Sequence, residues 1–191
     1  MDLLTFLMQS TGLSDKIRAQ HFASNWMPKL VKKGALIVSQ GEHETKEHII
    51  LEGDAASSIY DPEGTAVCVG LYVGPCVITP NIARTRGGMS LVSVEAVTDT
   101  LVMQMDSNAL TDLMITSEPA RDWANGVLQE ELGRKVDREW ALAALGGSDR
   151  LAWFRDKYPD YEEIFVHSLI ASFLGITPVT LSRLRSIGKI R

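Results

Sequence analysis

The chain has 191 residues, 45% of them hydrophobic and 23% charged, and a formal net charge of −5. This is an ordinary soluble composition with enough apolar material for one full core and a small second unit, and its only cysteines, Cys68 and Cys76, exclude a disulfide framework. No stretch approaches eighteen apolar residues, and the opening MDLLTFLMQSTGLSDKIRAQ lacks a basic segment followed by an unbroken apolar run, so a cytoplasmic protein with no membrane partner is expected.

Ser14–Phe22 reads as a short helix. Residues 28–105 then carry short β-rich runs punctuated by turn signals: Lys33-Gly34, Gln40-Gly41, Glu52-Gly53-Asp54, Asp61-Pro62-Glu63-Gly64, Gly74-Pro75 and Arg86-Gly87-Gly88. A cadence of about ten residues predicts an antiparallel roll, barrel or sandwich. In SLVSVEAV (90–97), Leu91, Ser93 and Glu95 alternate with Val92, Val94 and Ala96, which predicts one buried face. Cys68 and Cys76 have no Cys or His at metal-ligand spacing and read as small buried hydrophobes.

Ser117-Glu118-Pro119 marks a helix start, with a Ser cap, an acid near the positive end of the dipole and Pro in the first turn. Gly146-Gly147 ends the helix after Leu145, giving about 26 residues and roughly 39 Å. Ala124, Leu128, Leu132, Val136 and Trp140 recur at steps of four, widened by Trp123 and Val127, while Glu130/Arg134 and Glu131/Lys135 form pairs on the expected wet side. The stripe packs either on the β domain alone or on the same helix of a second copy. Ser148 is placed to cap a short amphipathic helix, Asp149–Tyr158, broken by Pro159.

Charge is uneven along the chain. Residues 1–165 sum to −9, whereas 166–191 contain Arg183, Arg185, Lys189 and Arg191 and no acid. Within this tail, LIASFLGITPVTLSRLR (169–185) has the spacing of two helices joined by a tight turn. Ala171 permits close approach, Gly175 suits positive φ, Thr177 can cap the second helix and Pro178 occupies its first position. Ile170, Leu174, Ile176, Leu181 and Leu184 fall at internal positions, leaving Thr177, Val179, Thr180, Ser182, Arg183 and Ser186 outside, groups able to meet phosphates and base edges. An αα-hairpin without a DNA role has the same local pattern.

KKGALIVSQGEHETKEHIILEGDA (32–55), SVEAVTDTLVMQMD (93–106) and the 169–185 segment, together with RLAWFRDKYPD (150–160), resemble the CRP/FNR superfamily of bacterial transcription regulators over nearly the whole chain. The resemblance implies an α+β chain: an antiparallel β-roll of the cyclic nucleotide-binding type over 1–115, a long dimerisation helix over 116–146 and a helix-turn-helix domain over 147–191. It implies a homodimer joined through Trp123, Val127, Leu128, Leu132, Val136 and Trp140, set on pseudo-palindromic double-stranded DNA, with RNA polymerase as a further candidate partner. By matched position, Thr177 and Thr180 touch phosphate or orient the helix and Arg183 is the principal basic contact, with Val179, Ser182 and Arg185 beside them. The position that often holds a base-reading Glu is Val179 here, and the preceding Arg slot is Pro178, so the family's base code does not transfer. Val179 is suited instead to a thymine methyl. The five residues after Ser186 are too few for the β-hairpin wing many members possess.

In cyclic nucleotide-binding members a Gly-Glu pair and an Arg-Ser/Thr-Ala step enclose the ribose and phosphate. Here Gly74 is followed by Pro75, which has no N–H, and the arginine slot falls on Ser90 unless the gap moves to make Arg84-Thr85 or Arg86 serve. A degenerate pocket that does not bind cyclic AMP is expected, with another anion on Arg84 or Arg86 left open and no cofactor assigned. Two thiols cannot hold an iron–sulfur cluster, and single histidines such as His21, His43 and His48 are weak haem candidates. His43, His48 and Glu52 raise a cupin-like metal enzyme as an alternative, but the four intervening residues put the histidines in opposite strand phases. No triad, P-loop or paired acid/base motif is present, so catalysis and a metal site are not expected. A protein-interaction module on the same scaffold is the other alternative.

Overall fold

The computed structural model describes residues 1–11 and 16–188; Ser14, Lys189 and Arg191 lie outside them. Two helices come first, α1 (Leu3–Thr11) and α2 (Lys16–Ala23). The expected early helix corresponds to α2. The preceding α1 is additional, and its start is capped by the Asp2 carboxylate, which accepts from the Thr5 N–H at 2.8 Å.

The strands are β1 (Met27–Val31), β2 (Leu36–Val38), β3 (Lys46–Glu52), β4 (Asp54–Tyr60), β5 (Ala66–Val73) and β6 (Cys76–Val77); after helix α3 (Asn81–Arg84) come β7 (Thr85–Arg86), β8 (Met89–Ser90), β9 (Ser93–Ala96) and β10 (Thr100–Asp106). They form antiparallel sheets in the orders β1-β10-β3-β6 and β2-β9-β4-β5, with β7-β8 as a separate ribbon. The two larger sheets enclose Val31, Ile37, Ile50, Ala55, Tyr72, Ile78, Val94 and Val102. Glycine at residue 53 is dictated by the β3–β4 turn: its φ is +87°, and a Cβ would stand 2.5 Å from the Asp99 carbonyl.

The run His48-Ile49-Ile50-Leu51 does not alternate because β3 is covered on both faces. Ile50 points into the roll, while Ile49 and Leu51 join Leu7, Phe22, Trp26 and Trp123 beneath the helices. In β9, Val94 and Ala96 are buried as the alternation predicts; Ser93 is buried too, because its hydroxyl accepts the Gln40 N–H at 3.0 Å.

Helix α4 (Ser107–Thr116), capped by Asp106, leads into α5 (Glu118–Ala144), whose start is capped by the Ser117 hydroxyl as expected. Then follow α6 (Gly147–Lys157), α7 (Tyr161–Ile164), α8 (His167–Phe173) and α9 (Pro178–Gly188). Ser148 does not cap α6: the cap position is Gly146, two residues earlier than expected, and it makes no side-chain bond. Leu151, Phe154, Phe165, Ile170, Phe173 and Leu181 form the core of this last unit, and Ala56, Cys68 and Leu71 of the roll belong to the same cluster. No described helix is long and apolar enough to cross a membrane.

Candidate nucleic-acid interface

The turn between α8 and α9 is built as its residue types require. Gly175 has φ +63°, and a Cβ there would meet Leu142 Cδ2 at 3.1 Å and Arg150 Nη1 at 3.3 Å. Thr177 Oγ1 accepts the Thr180 N–H at 3.1 Å and lies 2.9 Å from the Thr180 hydroxyl, so the cap and its orientation are fixed together. Ala171, Leu174 and Leu181 are fully buried and lock α8 against α9.

With that face anchored, the opposite face of α9 is open. Val179 is 61% exposed, and Ser182 and Arg183 are exposed with no side-chain partner among the described residues. Thr180 is half-buried and already bonded to Thr177. Arg185 is differently placed from the others: its Nε donates to Glu162 at 2.7 Å and its Nη1 to His167 Nδ1 at 2.7 Å, while His167 Nε2 donates to the Pro178 carbonyl at 2.7 Å. The group expected beside the reading face is thus an internal tie from α9 to α7 and α8.

Of the groups named for an effector pocket, Gly74, Arg84, Thr85 and Ser90 donate hydrogen bonds within the chain. Arg84 is 1% exposed and points inward; it donates to the Thr79 carbonyl at 2.6 Å and to the Lys46 carbonyl, with Glu47 and Glu44 at 3.7 and 3.8 Å. Burial pulls its pKa below the ordinary arginine value, although Glu47 and Glu44 oppose that. The Gly74 N–H donates to the Gly53 carbonyl at 3.0 Å, Thr85 Oγ1 to the Asn81 carbonyl at 2.8 Å and Ser90 Oγ to the Val92 carbonyl at 2.7 Å. Arg86 is exposed on the β7-β8 ribbon. The expectation that Arg84 could receive an anion is therefore corrected in one respect: its two Nη groups are turned to carbonyls of its own chain, and only its buried Nε has no hydrogen-bond partner among the described residues.

A polar chain occupies the side of the roll that faces α5. Ser57 Oγ lies 3.4 Å from the Tyr72 hydroxyl, which is 2.8 Å from Thr79 Oγ1, which donates to Glu131 Oε1 at 2.5 Å. Glu131 also receives Arg134 at 2.8 Å and Lys135 at 3.3 Å. The expected wet-side placement of Glu131 is overturned, since it is buried, and Arg134 pairs with it rather than with Glu130. The gap left between β5, α5 and Tyr158 is about 30 Å³, about one water. A larger groove of about 490 Å³ lies outside the roll among Pro80, Ile82, Leu110, Met114, Trp123 and Leu128.

The apolar stripe of α5 divides along its length. Trp123 is 3% exposed, packs edge-on against Phe22 and Trp26, and donates from Nε1 to Ser10 Oγ at 3.1 Å; it belongs to this chain's own core, not to an open seam. Val127 packs on the same core and Leu128 is half-buried. Leu132, Val136 and Trp140 are 65, 54 and 55% exposed.

The cupin-like arrangement does not assemble. His48 is buried in β3, 3.5 Å from Glu44 and 3.2 Å from Gln104, and burial pushes its pKa down despite Glu44. No three His, Cys, Asp or Glu side chains converge among the described residues. Burial also raises the thiols, Cys68 to about 11 and Cys76 to about 12.

A β-roll joined by one long helix to a helix-turn-helix is the CRP/FNR-type fold, and this chain has it. FixK2 from Bradyrhizobium japonicum superposes with a TM-score of 0.71 at 19% identity, over 84% of this chain and 83% of that one. The c-di-GMP responsive global regulator CLP of Xanthomonas campestris superposes at 0.71 and 12% identity over 92% of each chain. A putative cAMP-binding regulatory protein from Silicibacter pomeroyi DSS-3 gives 0.62 at 23% identity, over 96% and 84%. No family model matches the sequence, and no curated protein does.

Glu162 yields a pH prediction. Burial alone would raise its carboxyl pKa, but hydrogen bonds from Arg155 at 2.5 Å and Arg185 at 2.7 Å, and their charges, hold it below the ordinary 4.5. A pKa lowered on folding contributes stability above the unfolded value and loses it as pH falls through the folded value. Glu162→Gln is expected to reduce unfolding free energy at pH 7 by about 0.5–1.5 kcal/mol and to flatten its decline below pH 4.5. Urea unfolding across that range checks this; a decline as steep as that of the unsubstituted protein would contradict it.

Proposed function

We propose that this protein is a DNA-binding transcription regulator acting as a homodimer on a pseudo-palindromic site. The carrying observation is α9, whose inner face is anchored through Leu181 while Val179, Ser182 and Arg183 remain uncommitted on the outside. Two such helices, related by a two-fold axis along α5, read successive major grooves about one helical turn apart. Thr177 and Thr180 orient the helix entry, Arg183 supplies the basic contact and Val179 meets a thymine methyl. Arg185 acts by holding α9 to its own unit. A protein so bound at a promoter has RNA polymerase as its natural neighbour. The names of the superposing proteins, among them a global regulator and a putative cAMP-binding regulatory protein, support this reading.

Leu132, Val136 and Trp140 form the seam with the second copy, because three large apolar side chains this exposed on one helical face call for a partner. The roll does not take cyclic AMP: Glu131 places a carboxylate beside Thr79 and Tyr72, and Arg84 is already committed to carbonyls. A phosphate brought there would meet the Glu131 carboxylate, and the cations beside it, Arg134 and Lys135, already pair with that group.

Three measurements test these statements. In gel shifts with the DNA upstream of its own gene, specific binding is expected to weaken as salt rises, since phosphate contacts release counterions, and Arg183→Ala to weaken it at least several-fold. Unchanged affinity would remove Arg183 from the contact set. Light scattering is expected to give a dimer that Leu132→Glu converts to a folded monomer; a monomeric unsubstituted protein at high concentration rules out the seam. Calorimetric titration with cyclic AMP is expected to show no micromolar binding, and finding it would overturn the closed-pocket reading.

A further inference from the structure

β5 ends its sheet and pairs with β4 on one side only. The backbone groups of such an edge must find partners elsewhere. Its register with β4 slips at one point: Ser57 faces Gly70 and Ser58 faces Cys68, leaving Val69 as the extra residue of a bulge.

The helices supply the missing partners at this bulge. The Cys68 N–H donates to Ser172 Oγ at 2.9 Å, the Cys68 carbonyl accepts from Arg138 Nη2 at 3.1 Å, and the Val69 carbonyl accepts from Lys135 Nζ at 3.2 Å. Arg138 also donates to the Phe173 carbonyl, from Nε at 3.2 Å and Nη2 at 3.0 Å, and its guanidinium lies 4.7 Å from the Phe173 ring centroid. One side chain of α5 thus ties the edge of β5 to the C-terminal end of α8. No carboxylate lies within 4 Å of Arg138 among the described residues, so its charge is spent on carbonyl dipoles and one aromatic face.

Arg138 lies between Val136 and Trp140 on the helix that carries the exposed stripe. The same two turns therefore hold both the proposed two-fold seam and the tie to α8. The apolar contacts of Ala56, Cys68 and Leu71 with Ile170, Ala171 and Phe173 favour docking without fixing a direction, whereas donors aimed at particular carbonyls do fix one.

We propose that Arg138 and Ser172 are positioning residues that, through the bulge of β5, set the distance of each recognition helix from the two-fold axis and so select the spacing between DNA half-sites. The proposal rests on the DNA-binding reading above. A change of one base pair in the spacer moves a half-site by about 3.4 Å and rotates it by roughly 35°, which a helix held at a fixed distance cannot follow.

The experiment begins with selection of duplexes from a random library by the full-length protein, followed by affinity measurements on the selected site with spacers one base pair longer and shorter. The unsubstituted protein is expected to lose about tenfold or more on either change. Arg138→Ala is expected to narrow that loss to within about threefold while leaving affinity for a single half-site unchanged, and Ser172→Ala to move the spacer preference in the same direction by a smaller factor. Ser172→Ala deletes one hydroxyl and keeps the fold, so it carries the test should Arg138→Ala unfold. Variants that retain the original spacer preference would overturn the positioning role. Selection that yields no two-fold related half-sites would instead overturn the DNA-binding reading beneath it.

Discussion

The carboxylate of Glu131, buried where α5 crosses the roll, determines how the rest of the chain is arranged. A buried carboxylate must be matched by donors or not be charged at all, and here Thr79, Arg134 and Lys135 converge on it. Arg134 and Lys135 lie on α5 itself, whereas Thr79 belongs to the roll, so it is the Thr79 bond that bears on the rotation of α5 about its axis and its position along the sheet. The rest of α5, on both sides of Glu131, shares that rotation. Trp123, two turns earlier, is directed into the aromatic cluster; Leu132 and Val136 are directed outward; Arg138 is brought to the edge of β5.

The legibility of the sequence follows from how local each feature is. The helix-turn-helix was readable residue by residue because small, glycine, capping and apolar positions act over one or two turns, and Ala171, Gly175, Thr177 and Leu181 do what their types require. The roll was readable as a class from its turn glycines, although its strand pairing was not. What stayed hidden is what each face of α5 meets. A stripe at steps of four specifies one apolar face, but a helix of 27 residues passes two different environments, so Trp123 and Trp140 share a stripe and have opposite fates. Arg84, Glu131 and Arg185 were misplaced for a related reason: charge alone predicts exposure, and only a distant partner such as Thr79 or Glu162 overrides it.

The boundary between the β-roll and the C-terminal helices is similarly blurred in energetic terms. The C-terminal helices share one apolar cluster with Ala56, Cys68 and Leu71, and the roll's own strand carries the bonds to Arg138, Lys135 and Ser172. Movement of β5 relative to α5 is therefore coupled to α8 by direct contact, without an intervening flexible joint.

Covering the edge of β5 has a consequence for colloidal behaviour. An unpaired strand edge is a template for another chain's strand, and sequences usually blunt it with lysine, proline or a bulge. This chain uses a bulge and then lays α8 over it, so the helix-turn-helix unit also guards that edge. Lifting that unit off the roll uncovers Cys68 and the adjoining backbone together, so swinging free carries a penalty in solubility as well as in lost contacts.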